Sequence, residues 1–487
     1  MNIPSCRTKY FNLTARRQEV SDESVLPVHD CCERRCQQRR QLKDEGSNKK
    51  HKLGLCMLTA LVVGNVVGSG ILMMPATLAA IGSISLLAWL LTACGAFLLA
   101  LVFAKMSVLV PKTGGPYAYA QVGFGNFIGF QTAYIYWIMV LLGNAAVAVS
   151  LVGYLQVFFP ILSNHYYGAG AEIASIWLFT YINLAGVRSA GITQIVTTVL
   201  KFIPLLIVAI FGWHYFHPEY ITHSFNVSHR SNFSAFSYAA TLTMWSFVGL
   251  ESATVPSGSV DNPKRNVPLA TMLGTIVSMV IYLSCMLVLM GMFPNAVLAK
   301  STSPFATAAG MVFGQWGEWI AAAGAVISCA GVLNGWTLMQ GQIPMAAADD
   351  HLFPKVFAKR SKKDVPAQGL ILSSIIVSAS LLFTMSPNIN EQFQLLIVTA
   401  SITALLAYFY TAIAEIVLLS STTQRLHKNI INIMTALGGA AYAFWAIFGS
   451  GEKMVFYMTM FVFSSVPLYA WMVWVKKRRE VLNQFDV

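Results

Sequence analysis

Glu251 sits in an apolar stretch, Met244-Trp-Ser-Phe-Val-Gly-Leu-Glu-Ser-Ala-Thr254, with long hydrophobic runs on both sides. A carboxylate at membrane depth costs at least ~2.5 to 3.5 kcal/mol on insertion scales. Chains keep one there to handle an ion, a proton or a charged substrate. Gly249 lies two residues before it and weakens a helix at the same depth. A second cluster stands in the first apolar run, Val62-Val-Gly64-Asn65-Val-Val-Gly68-Ser69-Gly70-Ile71-Leu72. Each of its glycines costs a helix roughly 1 kcal/mol relative to alanine. In lipid, freed backbone groups must find partners, so a mid-span break is tolerable only where it lines a protein cavity. Close helix packing is the competing explanation for either cluster alone. Two interruptions five spans apart instead mark two inverted five-helix repeats with a binding site at the midplane.

The chemistry of such a site follows from helix ends. Free amides near Ser69 and Gly70, at the start of a half-helix, suit a carboxylate. Free carbonyls just before the second break suit an ammonium. An α-amino acid carries both groups on one carbon. Asn65, Ser69, Ser246 and Ser252 are the polar side chains nearby. Trp245 precedes the second break, and Trp336 lies deep in Gly331-Val-Leu-Asn334-Gly335-Trp336-Thr337. Each is either a packed core residue or a flat face for a cation, the latter worth up to ~2 kcal/mol when desolvated. Asn144 suits the far end of a cationic side chain or a bond to another helix. Tyr136 and Tyr408 are open in the same way. Lys201, in Leu200-Lys-Phe-Ile-Pro204, either snorkels to the surface or holds an ammonium in the span, where it can exchange a proton. Glu415, Asp349 and Asp350 read as structural, with Lys264 and Arg265 as partners for the two aspartates. No catalytic constellation stands out, so an enzyme is not expected. No cofactor or metal is expected either.

The elements that carry these residues are membrane helices. Of the 487 residues, 56% are hydrophobic and 11% charged. Soluble domains carry about 25% charged residues, so the composition is that of a polytopic membrane protein and the fold class is all-α. About twelve apolar segments reach the roughly 20 residues that a span needs. They cover 54–79, 83–104, 126–156, 171–187, 193–213, 236–258, 268–292, 315–347, 367–385, 393–418, 430–448 and 454–475. Repeat one is expected over 53–213 and repeat two over 236–418, with two further helices over 430–475. Tyr154, Tyr166, Tyr167, Trp213 and Tyr215 cluster near span ends, as interfacial belts do.

The net charge of +12 is placed to orient the chain rather than to bind nucleic acid. Alternate loops carry Lys105, Lys112, Arg188, Lys264, Arg265, Lys355, Lys359, Arg360, Lys362, Lys363, Arg425 and Lys428. The tail over 476–487 adds Lys476, Lys477, Arg478 and Arg479. The opposite loops hold Arg230, Lys300 and Lys453. By the positive-inside rule both termini are cytoplasmic. Residues 1–52 form a polar tail, expected to be disordered, without the apolar core of a signal peptide. Its Cys31, Cys32 and Cys36 could bind a metal or be lipidated, but free thiols in a reducing cytoplasm are the default.

These segments resemble the amino acid–polyamine–organocation superfamily, and most of all its basic amino acid/polyamine antiporters. The likeness rests on Gly64-Asn-Val-Val-Gly-Ser-Gly70, Pro111-Lys-Thr-Gly-Gly-Pro-Tyr-Ala-Tyr-Ala120 and Trp245-Ser-Phe-Val-Gly-Leu-Glu-Ser-Ala253. Asn262-Pro-Lys-Arg-Asn-Val-Pro268, Gly335-Trp-Thr-Leu338 and Ala346-Ala-Ala-Asp-Asp350 extend it from about residue 52 to the end. The glycine motif is superfamily-wide, whereas the Trp245 and Trp336 segments are more specific. The resemblance implies a fold with broken helices one and six. It implies that Gly68, Ser69 and Gly70 bind a substrate carboxylate with Ile71 nearby, and that carbonyls around Trp245, Ser246 and Val248 hold the α-ammonium. Trp245 would cover the substrate, Trp336 would stack on its cationic end, and Asn144 would bond that end. Tyr136, Glu251 and Tyr408 would gate the cytoplasmic side, and Tyr117 corresponds to a pH-sensing tyrosine. A homodimer is also implied. This sequence departs from the pattern at Met139, Val140, Val332 and Ala400, where small or polar residues are usual, and at Lys201, as in proton-coupled members.

The expectation is an inner-membrane antiporter that exchanges a cationic amino acid for its decarboxylated amine, with arginine and agmatine first. Lysine/cadaverine and ornithine/putrescine exchange are alternatives, as is a proton-coupled symporter using Lys201. A membrane receptor that binds an amino acid without moving it is the reading from another class.

Overall fold

The chain is described from a computed structural model over residues 54–112, 114–185, 190–255, 260–361, 365–420 and 426–485. The N-terminal tail with Cys31, Cys32 and Cys36 lies outside them, as do Arg188, Lys362, Lys363 and Arg425.

The first apolar run folds as α1 (Leu55–Val66) and α2 (Ser69–Ala79), interrupted at Val67 and Gly68. Then come α3 (Ile84–Leu109), the short α4 (Pro116–Phe124), α5 (Asn126–Leu155), α6 (His165–Ala185) and α7 (Ala190–Phe211). The sixth run is α8 (Asn232–Met244) followed by two 3-10 turns, Trp245–Phe247 and Leu250–Ala253. It does not continue as a regular helix toward residue 258, because Gly249 adopts φ +108° between the turns. The chain continues as α9 (Pro263–Met292), α10 (Pro304–Asp349), α11 (Ala367–Thr384), α12 (Ile389–Ser420), α13 (Leu426–Gly449) and α14 (Glu452–Phe485).

Among the described residues, nine helices are long and apolar enough to cross a membrane. The other three of the twelve expected segments are not among these nine. The fourth, α6, carries Glu172 and Asn183. The fifth lies on α7, whose side chains are described from Leu200 onward, and the sixth is broken. Two boundaries differ from expectation by ten residues or more. The α10 helix begins at Pro304, ahead of a kink at Gly314, and α14 runs on to Phe485 instead of ending at 475.

The helices pack by burial demand. The most apolar window of α5 is 94% buried, which makes α5 the core of the bundle, while that of α14 is 6% buried and faces outward. Around α5 stand α10, α12 and α4, and α9 packs on α1 and α3. Tyr154, expected in an interfacial belt, is buried instead, and its hydroxyl donates to the Leu72 carbonyl at 2.8 Å. Asp349 and Asp350 pair with Arg360 at 2.8 Å and with Lys112 at 3.0 Å, not with Lys264 and Arg265. Arg360 is only eleven residues beyond Asp349, so a local loop supplies the cation.

Candidate substrate cavity

The two broken spans cross at their breaks. A Cβ on Gly70 would lie 2.8 Å from Ser246 Cα, and one on Gly249 would lie 3.3 Å from the carbonyl of Asn65. Gly249 also needs the positive φ that side chains resist. These two glycines therefore bring both interrupted backbones face to face. A small cavity adjoins the crossing.

Its lining includes seven of the expected substrate residues: Asn65, Gly68, Ser69, Gly70, Trp245, Val248 and Trp336. Val66, Gly143, Val147 and Val332 complete the wall. Three expected residues are not in the lining. Ile71 is fully buried in α2. Ser246 stands behind Gly70, and its hydroxyl has no partner among the described residues. Asn144 donates to Gln340 Oε1 at 2.7 Å, while its own Oδ1 is buried without a partner among the described residues. Of the four departures from the family pattern, Val332 alone reaches the cavity, whereas Met139, Val140 and Ala400 are buried elsewhere.

The polarity of the first break follows from which backbone groups are already paired. Lys201 is 2% exposed, and its ammonium donates to the carbonyls of Gly64 at 2.6 Å and Val67 at 2.9 Å. The Tyr282 hydroxyl donates to the Val66 carbonyl at 2.8 Å. Lys201 thus ties α7 to the break rather than reaching the surface. With those carbonyls taken, the break offers the cavity its amides. The first N–H groups of α2 have no intrahelical acceptor, and the helix dipole adds positive potential there. That end suits an anion. The second break adds the indole N–H of Trp245, buried without a partner among the described residues. Its Trp245 carbonyl accepts from Val248 N at 3.2 Å and keeps a further lone pair. No carboxylate lines the cavity among the described residues, so a cationic end would meet aromatic faces and carbonyls.

Glu251 is fully buried beside the cavity. Tyr136 donates to Oε1 at 2.5 Å, Tyr408 donates to Oε2 at 2.5 Å, and Gly249 N donates to Oε2 at 3.1 Å. The cluster joins α5, α12 and the broken span. Beyond it, on the face of the bundle that carries α4, Tyr117 donates to Asp350 at 3.4 Å. Burial first, and then the Asp350 carboxylate, push the Tyr117 phenol above its ordinary range. It stays protonated at neutral pH and acts there as a donor.

Sequence reasoning missed Gln340. Its side chain receives Asn144 and donates to Ser374 at 2.9 Å, linking α5, α10 and α11. It stands four residues after Trp336 on one helix face, and that spacing was the available signal. Tyr282 and Gly143 carried no comparable mark.

A model of the amino acid permease family matches residues 53–476. The putrescine transporter PotE of Escherichia coli is 36% identical over 422 residues, 86% of this chain and 96% of that protein. The cadaverine/lysine antiporter of Escherichia coli is 34% identical over 82% of this chain and 90% of its own length. PotE of Haemophilus influenzae is 34% identical over 87% and 97%. With its multi-pass helical bundle, the chain belongs to the amino acid permease family and is a membrane transporter, not an enzyme.

Proposed function

We propose that the protein exchanges a cationic amino acid for its decarboxylated amine, and that the aliphatic pairs ornithine/putrescine and lysine/cadaverine outrank arginine/agmatine. The observation that carries this reading is the cavity at the crossed breaks. It sets free amides of α2 at one end and Trp336 in a wall without a carboxylate. An amino acid uses the amides and its amine does not, so both fit one site at different cost. The apolar Val332 and the engagement of Asn144 by Gln340 favour an alkyl ammonium over a guanidinium, which needs several acceptors. The names of the relatives support the same ranking.

In this reading the protein lies in the cell inner membrane with both termini cytoplasmic, as a homodimer. It takes in a monocation and releases a dication, so with a cytoplasmic decarboxylase it removes acid from the cell.

Counterflow into proteoliposomes loaded with putrescine tests the ranking. Ornithine and lysine should enter faster than arginine, and empty vesicles should take up none. Arginine in first place would restore arginine/agmatine exchange, and uptake driven by a pH gradient alone would indicate symport. Binding without flux would indicate a receptor. Trp336→Leu should weaken cationic substrates by about 1 to 2 kcal/mol, roughly five- to thirtyfold, and neutral amino acids much less. Equal loss for both would reduce Trp336 to packing.

A further inference from the structure

A second, larger cavity shares no lining residue with the first. It opens where α5 ends and where α6, α10 and α12 begin. Glu172, two turns into α6, reaches its wall although the residue is 2% exposed. Gln392 Nε2 donates to Glu172 Oε2 at 3.1 Å. A carboxylate has about four lone-pair sites, so one amide leaves most of its acceptor capacity unused. Burying such a charge is costly unless a donor or counter-ion meets it. The other titratable residues of the wall are His165, half-buried, and Lys300, exposed and therefore at the rim. The negative charge is the deep one, and a deep charge is screened less than a rim charge.

The wall also carries Leu162 and Ile389. A hard metal ion such as calcium takes six to eight oxygen ligands, commonly several from carboxylates. One carboxylate beside aliphatic side chains fits an ammonium on a methylene chain better. We propose that this peripheral cavity docks a protonated primary alkyl amine, its ammonium on Glu172 and its chain along Leu162 and Ile389. Charge-assisted N–H bonds to the carboxylate would hold it. The inference rests on the reading that amines are cargo, because it makes this cavity a second station for the same class of molecule.

Equilibrium binding of radiolabelled putrescine to the purified full chain tests it. The wild type should show two classes of site. Glu172→Gln, which keeps the size of the side chain and a bond to Gln392, should lose one class. Trp336→Leu should weaken the other about tenfold. Leu162→Arg, which places a competing cation in the cavity without altering Glu172, should repeat the Glu172→Gln result and covers a folding failure of that variant. Two intact classes in both cavity variants would overturn the inference, as would a single class in the wild type. Displacement of putrescine from this site by sodium, and not by potassium, would make it a metal-cation site and also overturn it. If Trp336→Leu changes nothing while Glu172→Gln removes a class, the peripheral site stands and the central reading falls.

Discussion

Two phenols and a backbone amide, rather than a cation, hold Glu251. Hydrogen bonds to a charged group contribute about 1.5 to 3 kcal/mol each, so three of them offset a desolvation cost of several kcal/mol. The three donors come from three separate chain segments, so the carboxylate is also a clamp that must open when those segments part. Glu251→Gln keeps the volume but replaces one acceptor oxygen with a donor. One phenol then faces an N–H₂ group. Exchange should fall by one to two orders of magnitude while the protein stays folded and inserted, as a thermal melt in detergent would report. Flux within twofold of the wild type would remove Glu251 from the transport cycle. At this scale the sequence was most readable where a residue type clashed with its surroundings. A carboxylate among Leu and Val, and a tryptophan among glycines, stand out without a structure. Gln340 did not, because a glutamine near a helix end is ordinary until Asn144 is seen beside it. Glu172 was likewise overlooked near the start of an expected apolar span.

The broken helices were legible because glycine has a physical cost in a span. What glycine could not convey was the conformation of each break. The first is a two-residue gap, whereas the second is a pair of 3-10 turns around a left-handed residue. Nor could it show how the freed carbonyls are satisfied. Lys201 answers that for the first break and turns α7 into a strut against α1. Cys329 on α10, Cys285 on α9 and Tyr282 on α9 are the other titratable residues buried in this region, and no carboxylate pairs with the ammonium among the described residues. The strut is strongest as an ammonium and weakens when the proton leaves, so rising pH loosens it. Lys201→Met removes the bonds at every pH and leaves two carbonyls unpaired, at about 1 to 3 kcal/mol each. The variant should therefore lose the dependence of exchange rate on alkaline pH while keeping the ranking of ornithine, lysine and arginine. Competition assays across a pH series decide the matter. An unchanged profile would make the strut purely structural, and a changed ranking would move Lys201 into the substrate site.

Loop charge and hydropathy gave the architecture of the whole molecule, because a bilayer admits few solutions for a chain this apolar. They could not identify which cations meet Asp349 and Asp350, since that depends on loop paths that hydropathy does not encode. The charge carried by the cargo is the remaining property at this scale, and it makes a prediction that needs no site residue. In the proposed exchange a cationic amino acid enters with one positive charge and its diamine leaves with two, so each turn would move one positive charge outward. An elementary charge crossing 100 mV is worth about 2.3 kcal/mol, or roughly fiftyfold in an equilibrium ratio. Proteoliposomes loaded with putrescine and held at 100 mV, inside positive, should therefore accumulate external ornithine about fiftyfold further than at zero potential. Inside-negative vesicles should accumulate correspondingly less. Potassium gradients with valinomycin set the potential, and the steady-state ratio is the quantity to measure. Mixed insertion does not matter, because an equilibrium ratio is independent of which way the protein points. A flat response would mean electroneutral exchange, and the link between decarboxylation and acid removal would then be lost even if the amine were still carried.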